Sequence, residues 1–294
     1  MQDVMVKRWE TIPKAIATAV IVAVFLAYVV FSAPFDSDLR AQDVEAYWIA
    51  AEHLRNGGDL YGARVLPYTY SPWFAYLWVP LTYLPRGLVE AAWLVVLLGC
   101  VAWLTYPLLS SFTGLLTALL IGPQVMEYAW IGNVDALMLA GLALLHTRAG
   151  PILVGLAASL KITPIAFVAY YVLRREWGKA GLALGTAGAL WVPVFTFDLS
   201  AFGEAGYDAT TPYSLMNFGL VPWLIGTALV VGAVGVVALR DRRYGLLACA
   251  VAAMLGNPRL NLYNVGYLFV PARIHVADVE DDRASAQLLP PGPR

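Results

Sequence analysis

The stretch DVEAYWIAAEHLRNGGDLYGARVLPYTYSP, residues 43–72, decides the architecture, because it is polar and aromatic in a chain that is otherwise apolar. Over all 294 residues, 60% are hydrophobic and 13% are charged, a balance outside that of soluble globular domains. A membrane helix needs about 20 residues. The sequence therefore predicts an all-α polytopic membrane protein of about ten membrane helices, with residues 43–72 in a loop outside the bilayer.

Basic residues predict the topology, because short cytoplasmic loops carry an excess of Lys and Arg. They precede a first apolar run at 15–33 and gather in connections at 148, 174–179 and 240–243, all predicted to be cytoplasmic. Residues 198–219 carry no Lys or Arg and are predicted to form a second outer loop. Residues 1–272 then form one membrane domain, with the first outer loop at 34–85 and a disordered cytoplasmic tail at 273–294.

Three interruptions shape this domain. A short helix is predicted from Asp43 to Arg55, ended by the Asn-Gly-Gly sequence at 56–58. Residues 73–85 are rich in Trp and Tyr, are short and contain a proline, so an interfacial helix is predicted there. The apolar segment 150–173 has cytoplasmic signals at both ends, so a break into two short helices is predicted at Lys161–Pro164, with Lys161 near the outer mouth. Further spans are predicted near 88–106, 115–129, 134–145, 180–197, 220–239, 244–255 and 262–272.

Asp43 and Lys161 are the strongest candidates for residues that take part in a reaction. Asp43 suits a general base that takes a proton from a hydroxyl, and it equally suits a helix N-cap. An ammonium in an apolar segment faces a cavity or a partner, so Lys161 suits a phosphate, or else pairs with lipid headgroups or with Asp135. Arg259, on a predicted outer turn, is a candidate for phosphate or headgroup contact. Asn133 and Asp135 open a predicted helix, where capping explains them as well as substrate contact does.

Tyrosines supply the other candidate substrate-binding residues. Tyr47 shares one helix face with Asp43 by its i, i+4 spacing. Tyr70 is a candidate for stacking on a sugar or headgroup, although interfacial aromatics commonly serve as anchors. Tyr263, late in the chain, is a further candidate substrate-binding residue. The three histidines show no metal-ligand spacing, the net charge of -1 gives no basic patch for nucleic acid, and no metal, cofactor or nucleic-acid partner is expected.

Four segments together resemble the polyprenyl-phosphate-mannose-dependent mannosyltransferases of glycosyltransferase family 87, within the GT-C membrane superfamily. They read DVEAYWIAAEHLRNGGDLYG, YTYSPWFAYLWVPLTYLP, WIGNVDALMLAGLALL and GLAASLKITPIAFVAYYVLRR, and they span residues 43–175 in the family's order. The resemblance implies a GT-C-like fold, Asp43 as catalytic base, and Lys161 as the lysine of the family's KxTP-like stretch. Where the family commonly has Gln, this chain has Asn133.

The predicted function is therefore a membrane glycosyltransferase. The resemblance implies that a hexose, mannose, moves with inversion from a polyprenyl-phosphate donor to a lipid or glycan hydroxyl, outside the cytoplasmic membrane. The partners expected are this donor, the acceptor and membrane lipids. Because the predicted helices are broken and one carries a lysine, a non-catalytic transporter or scaffold for lipid or solute is the alternative.

Overall fold

The computed structural model describes residues 41–61, 68–110, 112–199, 215–257 and 262–275, besides positions 23 and 27. The predicted first span at 15–33, most of the second outer loop and the end of the predicted tail lie outside these residues. Every regular element in the described ranges is a helix, which confirms the all-α class.

Eleven α-helices are present in the continuous ranges 41–61, 68–110, 112–199, 215–257 and 262–275. They are α1 (Gln42–Arg55), α2 (Pro72–Trp78), α3 (Arg86–Thr105), α4 (Phe112–Trp130), α5 (Asp135–Ala143), α6 (Gly150–Leu160), α7 (Val168–Leu173), α8 (Trp177–Trp191), α9 (Leu220–Arg240), α10 (Gly245–Leu255) and α11 (residues 269–275). Short 3-10 helices cover Val79–Tyr83, Tyr106–Ser110, Thr163–Phe167, Val192–Thr196, Leu215–Phe218, Arg242–Tyr244 and Leu262–Leu268.

Two of these helices are long and apolar enough to cross a membrane, Arg86–Leu109 and Leu220–Arg240. Shorter apolar helices cover Gly150–Leu160, Thr163–Leu173 and Gly245–Leu255. The described helices are shortened where prolines and 3-10 turns interrupt them, because proline lacks the amide proton that a continuous helix needs. The count of ten membrane helices therefore stays a prediction.

Two hydrophobic cores organise the chain. The larger core joins α3, α4, α5, α6, α7, α10 and α11 with residues from α8. The smaller core joins α1, α2 and the segments beside them, and it reaches Val134 and Leu160. Both of these residues adjoin polar candidates, Asn133 and Lys161. The candidate site thus lies where the two cores meet.

Several predicted interruptions are confirmed. Helix α1 ends at Arg55, with Asn56 as its C-cap residue, and Gly57 follows with a φ of 73°. A short helix in the predicted interfacial segment is also present, because residues 72–83 form α2 and a 3-10 turn, which together reach roughly 20 Å and fall short of a bilayer core of about 30 Å. Its place at the membrane surface stays a prediction. The break at 161–164 is also present, because Lys161 is extended after α6 and the chain resumes as a 3-10 helix at Thr163.

The predicted start of the disordered tail at Arg273 is wrong, because a helix runs through this position. Residues 269–275 are helical, so helix α11 continues past that boundary. The Arg273 guanidinium lies over the Trp103 ring, with 3.5 Å from Cζ to the ring centroid. It also donates hydrogen bonds to the carbonyls of Trp103 and Leu104, near the end of α3. A cation at the end of a helix interacts favourably with its last carbonyl groups.

Candidate active site

Helix α1 is held at its N-terminus by the turn that follows α4. The Ala41 N–H donates to the Trp130 carbonyl at 3.1 Å, and the Asp43 N–H donates to the Ile131 carbonyl at 2.9 Å. These bonds supply partners for amide groups that a helix start leaves unpaired. Ala41, with a φ of 55°, is the N-cap residue, and no side chain caps the helix. The alternative that Asp43 is the N-cap is therefore wrong, because it lies inside the first turn.

Gly132 allows α1 to lie close to the turn that follows α4. Its φ of 82° disfavours residues with a Cβ, and a Cβ there would lie 2.5 Å from Val44 Cγ2. The Gly132 carbonyl accepts a hydrogen bond of 2.8 Å from Trp93 Nε1 on α3. Trp93 was not identified from the sequence as a site residue. Its indole N–H lies inside a predicted membrane span, where lipid offers no hydrogen-bond acceptor, and this signals that the N–H is bonded to another protein group.

Asn133 connects Asp43 to Lys161. Its Nδ2 donates to Asp43 Oδ2 at 2.5 Å, while its Oδ1 accepts from the Asp135 N–H at 3.0 Å and from Lys161 Nζ at 3.5 Å. Lys161 Nζ also lies 2.7 Å from Asp135 Oδ1. Pairing with Asp135, one of the alternatives for Lys161, is confirmed. The site therefore contains two carboxylates, one ammonium and one amide in a single polar cluster.

The pKa of Asp43 is raised from 3.8 to about 6, with burial as the largest cause. The Lys161 ammonium and the hydrogen bond from Asn133 act to lower this pKa, and the Asp135 carboxylate acts to raise it. Burial also holds the pKa of the neighbouring Tyr47 well above its ordinary value, so that phenol stays neutral. Asp43 is therefore a carboxylate near neutral pH that accepts a proton more readily than an exposed aspartate does.

Tyr47 and Tyr70 are packed beside the polar cluster. Tyr47 is fully buried, and its hydroxyl donates to the Tyr70 hydroxyl at 3.3 Å and accepts from the Val134 N–H at 3.3 Å. The two rings meet edge to face, with centroids 5.3 Å apart, and Phe74 also packs against Tyr47, with centroids 5.0 Å apart. The structure thus places both predicted tyrosines in the smaller core, beside the polar cluster.

An apolar groove leads away from the cluster between α3, α5 and α6. It has a volume of about 490 Å³, and it ends beside the cluster at Trp73 and Leu160. Trp73 Nε1 donates to Ser159 Oγ at 2.9 Å, which fixes this indole against the end of α6, two residues before Lys161. The other end lies at Trp103, roughly 10 Å along α3 from Val96, since a helix rises about 1.5 Å per residue. Gly99 lines the groove, and a Cβ there would meet nothing within 4 Å.

The remaining predicted site residues lie late in the chain. Arg259 falls outside the described residues. Tyr263 lies in the 3-10 helix Leu262–Leu268, and its side chain is likewise outside the described part of the structure. This 3-10 helix reaches the broken segment after Lys161, because the hydroxyls of Thr163 and Tyr267 are hydrogen-bonded at 2.9 Å. Within the described ranges, no group of three or more His, Cys, Asp or Glu residues could hold a metal ion.

Fold and site together define a helical, membrane-compatible protein with a carboxylate, an amide and an ammonium clustered at one end of an apolar groove. A sequence model of glycosyltransferase family 87 matches residues 68–260, about two thirds of the chain. The chain belongs to this family. The matched range contains Tyr70, Asn133, Asp135, Lys161 and Arg259, and it begins after Asp43 and Tyr47.

The chain is also similar to a named protein of Mycobacterium tuberculosis, a polyprenol-phosphate-mannose-dependent alpha-(1-2)-phosphatidylinositol mannoside mannosyltransferase. The two are 28% identical over a region that covers 48% of this chain and 41% of the relative. The chain thus spans less than half the length of this curated relative. No solved structure matches the chain.

Proposed function

We propose that this protein is a membrane glycosyltransferase that transfers a hexose, mannose, from a polyprenyl-phosphate donor to a hydroxyl of a lipid or glycan acceptor. Family membership supports the reaction class, and the name of the mycobacterial relative supports the donor. The observation that carries the proposal is the cluster in which Asn133 joins Asp43 to Lys161. Because Asp43 lies before the family match, the support for its role comes from this geometry.

The reaction is a single displacement. Asp43 takes the proton of the acceptor hydroxyl while the hydroxyl oxygen forms a bond to the anomeric carbon. The bond between that carbon and the phosphate oxygen breaks, and the polyprenyl phosphate leaves with the electron pair. Lys161 stabilises the negative charge that develops on this phosphate. The configuration at the anomeric carbon is inverted, because one bond forms on the side opposite the bond that breaks.

The apolar groove is the proposed site for the isoprenoid tail of the donor. One end of the groove adjoins Lys161, so a phosphate bound by the ammonium has a tail that enters at Trp73 and Leu160. The side of the groove is open to lipid, because Val96 and Leu137 in its wall are exposed. Its volume lies in the range of small-molecule sites, about 300–1,000 Å³, so it accommodates the first isoprene units while the rest of the tail stays in the bilayer.

The proposed setting is the cytoplasmic membrane, with a GT-C-like arrangement of about ten membrane helices and the active site on the outer face. The positive-inside pattern supports this orientation, because the basic connections at 148, 174–179 and 240–243 lie away from the loop that carries Asp43. In the described residues the groove below the cluster is lined by apolar side chains. A transporter needs a polar path through the bilayer, so this lining favours the enzyme.

The direct test is donor consumption. Purified protein is mixed with radiolabelled polyprenyl-phosphate mannose and a cell lipid extract, and the released polyprenyl phosphate is measured. We expect turnover by the wild type and a loss of about 10²- to 10⁴-fold in Asp43→Asn, the usual contribution of a general base. Asp59→Asn is the matched control, because Asp59 lies in the same loop outside the cluster.

Two outcomes would contradict the proposal. Unchanged turnover in Asp43→Asn would remove Asp43 as the base. A wild type that consumes no polyprenyl-phosphate sugar with any extract would remove the enzyme assignment itself.

The groove is tested by filling it. Gly99→Leu places a side chain in the groove, whereas Gly235→Leu places the same side chain on α9, where a Cβ also meets nothing within 4 Å. We expect Gly99→Leu to raise the KM for a long-chain donor at least about tenfold, since one tenfold step corresponds to about 1.4 kcal/mol. The KM for a water-soluble short-chain donor stays unchanged in both variants. Equal effects of Gly99→Leu on the two donors would place the tail elsewhere.

A further inference from the structure

We propose that Asn133 is a positioning residue that orients the catalytic base, and that its side-chain amide couples this base to the cation on the donor side of the site. This inference rests on the proposed function. It assigns Asn133 a role other than direct contact with the substrate, because both ends of its amide are already engaged by protein groups.

The orientation of the amide is fixed by its neighbours. On the Oδ1 side lie two donors, the Asp135 N–H at 3.0 Å and Lys161 Nζ at 3.5 Å. The Nδ2 group must then face Asp43, where it donates at 2.5 Å to Oδ2. The reversed amide would turn its oxygen toward a carboxylate and its NH₂ group toward an ammonium. The contacts with Asp43, Asp135 and Lys161 therefore allow only one orientation of the Asn133 amide.

Because Asn133 holds Oδ2 of Asp43, the other carboxylate oxygen, Oδ1, is left to take the proton of the acceptor hydroxyl. Among the described residues no donor contacts Asp43 Oδ1, and the Asp43 side chain is partly exposed. A carboxylate fixed through one oxygen presents the second in a defined direction, which is what proton abstraction from an acceptor hydroxyl requires. Asn133 itself is buried on a turn held by α1 and α3, so it is a rigid support.

Only a side chain with a donor and an acceptor at opposite ends can make this connection. Aspartate at position 133 would face the Asp43 carboxylate with a second carboxylate. Two acids at that distance share a proton and raise one pKa. Leucine has a similar size and makes neither hydrogen bond. Glutamine keeps both functions on a longer side chain.

The experiment measures kcat, the donor KM and the pH profile of donor consumption for Asn133→Leu, Asn133→Asp and Asn133→Gln. We expect Asn133→Leu to lower kcat about 100-fold, the cost of a misplaced catalytic group, with the donor KM within about twofold of wild type. Asn133→Asp moves the acidic limb of the pH profile upward by at least about one pH unit, since a like charge raises the pKa of the base. Asn133→Gln recovers kcat to within about tenfold of wild type, with the limb unmoved.

Thr82→Val is the control for a loss of structure. Thr82 is buried in the 3-10 helix Val79–Tyr83, which follows α2, and its hydroxyl accepts a hydrogen bond of 3.0 Å from Arg55, outside the cluster. Loss of this hydrogen bond in Thr82→Val should destabilise the fold without shifting the pH profile of donor consumption. Lys161, Asp135, Tyr47 and Tyr70, the titratable groups around Asp43, are unchanged in every variant.

Two results would overturn the inference. The first is wild-type kcat in Asn133→Leu, and the second is an acidic limb in Asn133→Asp that stays where it is in the wild type. A wild type that consumes no polyprenyl-phosphate sugar would overturn the proposed function and this inference with it. An active wild type with unaffected Asn133 variants would overturn the inference alone.

Discussion

Replacing the proposed base should stabilise the protein at neutral pH while it abolishes activity. Burial raises the pKa of Asp43 to about 6, so the folded protein carries at pH 7 a charge that its surroundings disfavour. Asparagine has nearly the same shape as aspartate, and its carbonyl oxygen can accept the same hydrogen bond from Asn133. Asp43→Asn therefore removes the charge and leaves the packing.

The size and sign follow from proton linkage. The pKa of Asp43 is 3.8 in the unfolded chain and about 6 in the folded protein, a difference of about 2 pKa units. The folded state binds the proton more tightly, so the free energy of unfolding falls as pH rises from about 4 to about 6. Above this window the charge costs at most about 3 kcal/mol. Asp43→Asn should recover part of this amount at about pH 7.5 and almost none at about pH 4.

Equilibrium unfolding in mixed micelles at these two pH values measures the difference. The gain in stability of Asp43→Asn over the wild type should be present at the higher pH and absent at the lower. An Asp43→Asn variant that is less stable than the wild type at the higher pH, or equally shifted at both, would refute the reasoning.

Three further predictions follow from the site. In the wild type, kcat/KM should be constant above about pH 7 and fall about tenfold per pH unit below about 6, whereas a base with the unperturbed pKa of 3.8 would keep most activity at about pH 5. Gly132→Ala should lower the free energy of unfolding by about 2–4 kcal/mol in denaturant titration, because it adds left-handed strain and a clash with Val44. Lys161→Met should lower kcat at least about 100-fold and destabilise the protein by about 3–5 kcal/mol, and adding Asp135→Asn should restore stability but not activity.

Local signals in the sequence predicted much of the fold. The Asn-Gly pair at 56–57 ends α1, and the proline at 164 follows the break at Lys161. Both depend on backbone preferences of a few neighbouring residues, so the sequence contains them directly. The number of membrane helices was harder to predict, since 3-10 turns shorten several of the described helices without a strong local signal.

Contacts between distant segments were only partly predictable. Asp135 was one alternative partner for Lys161, because a buried ammonium needs an opposite charge. The bond between Asn133 and Asp43 joins residues 90 positions apart and depends on how α1 docks against the turn after α4. The same docking places Ala41, rather than Asp43, at the helix N-cap. No local pattern encodes either result.

The central claim is that Asp43 acts as a general base in a single displacement at the anomeric carbon. The configuration of the product tests it most directly, measured by NMR on sugar transferred from a polyprenyl-phosphate donor of known anomeric configuration. The account predicts the opposite configuration in the product. Retention of the donor's configuration would contradict it, because a single displacement from the face opposite the leaving phosphate inverts the anomeric carbon.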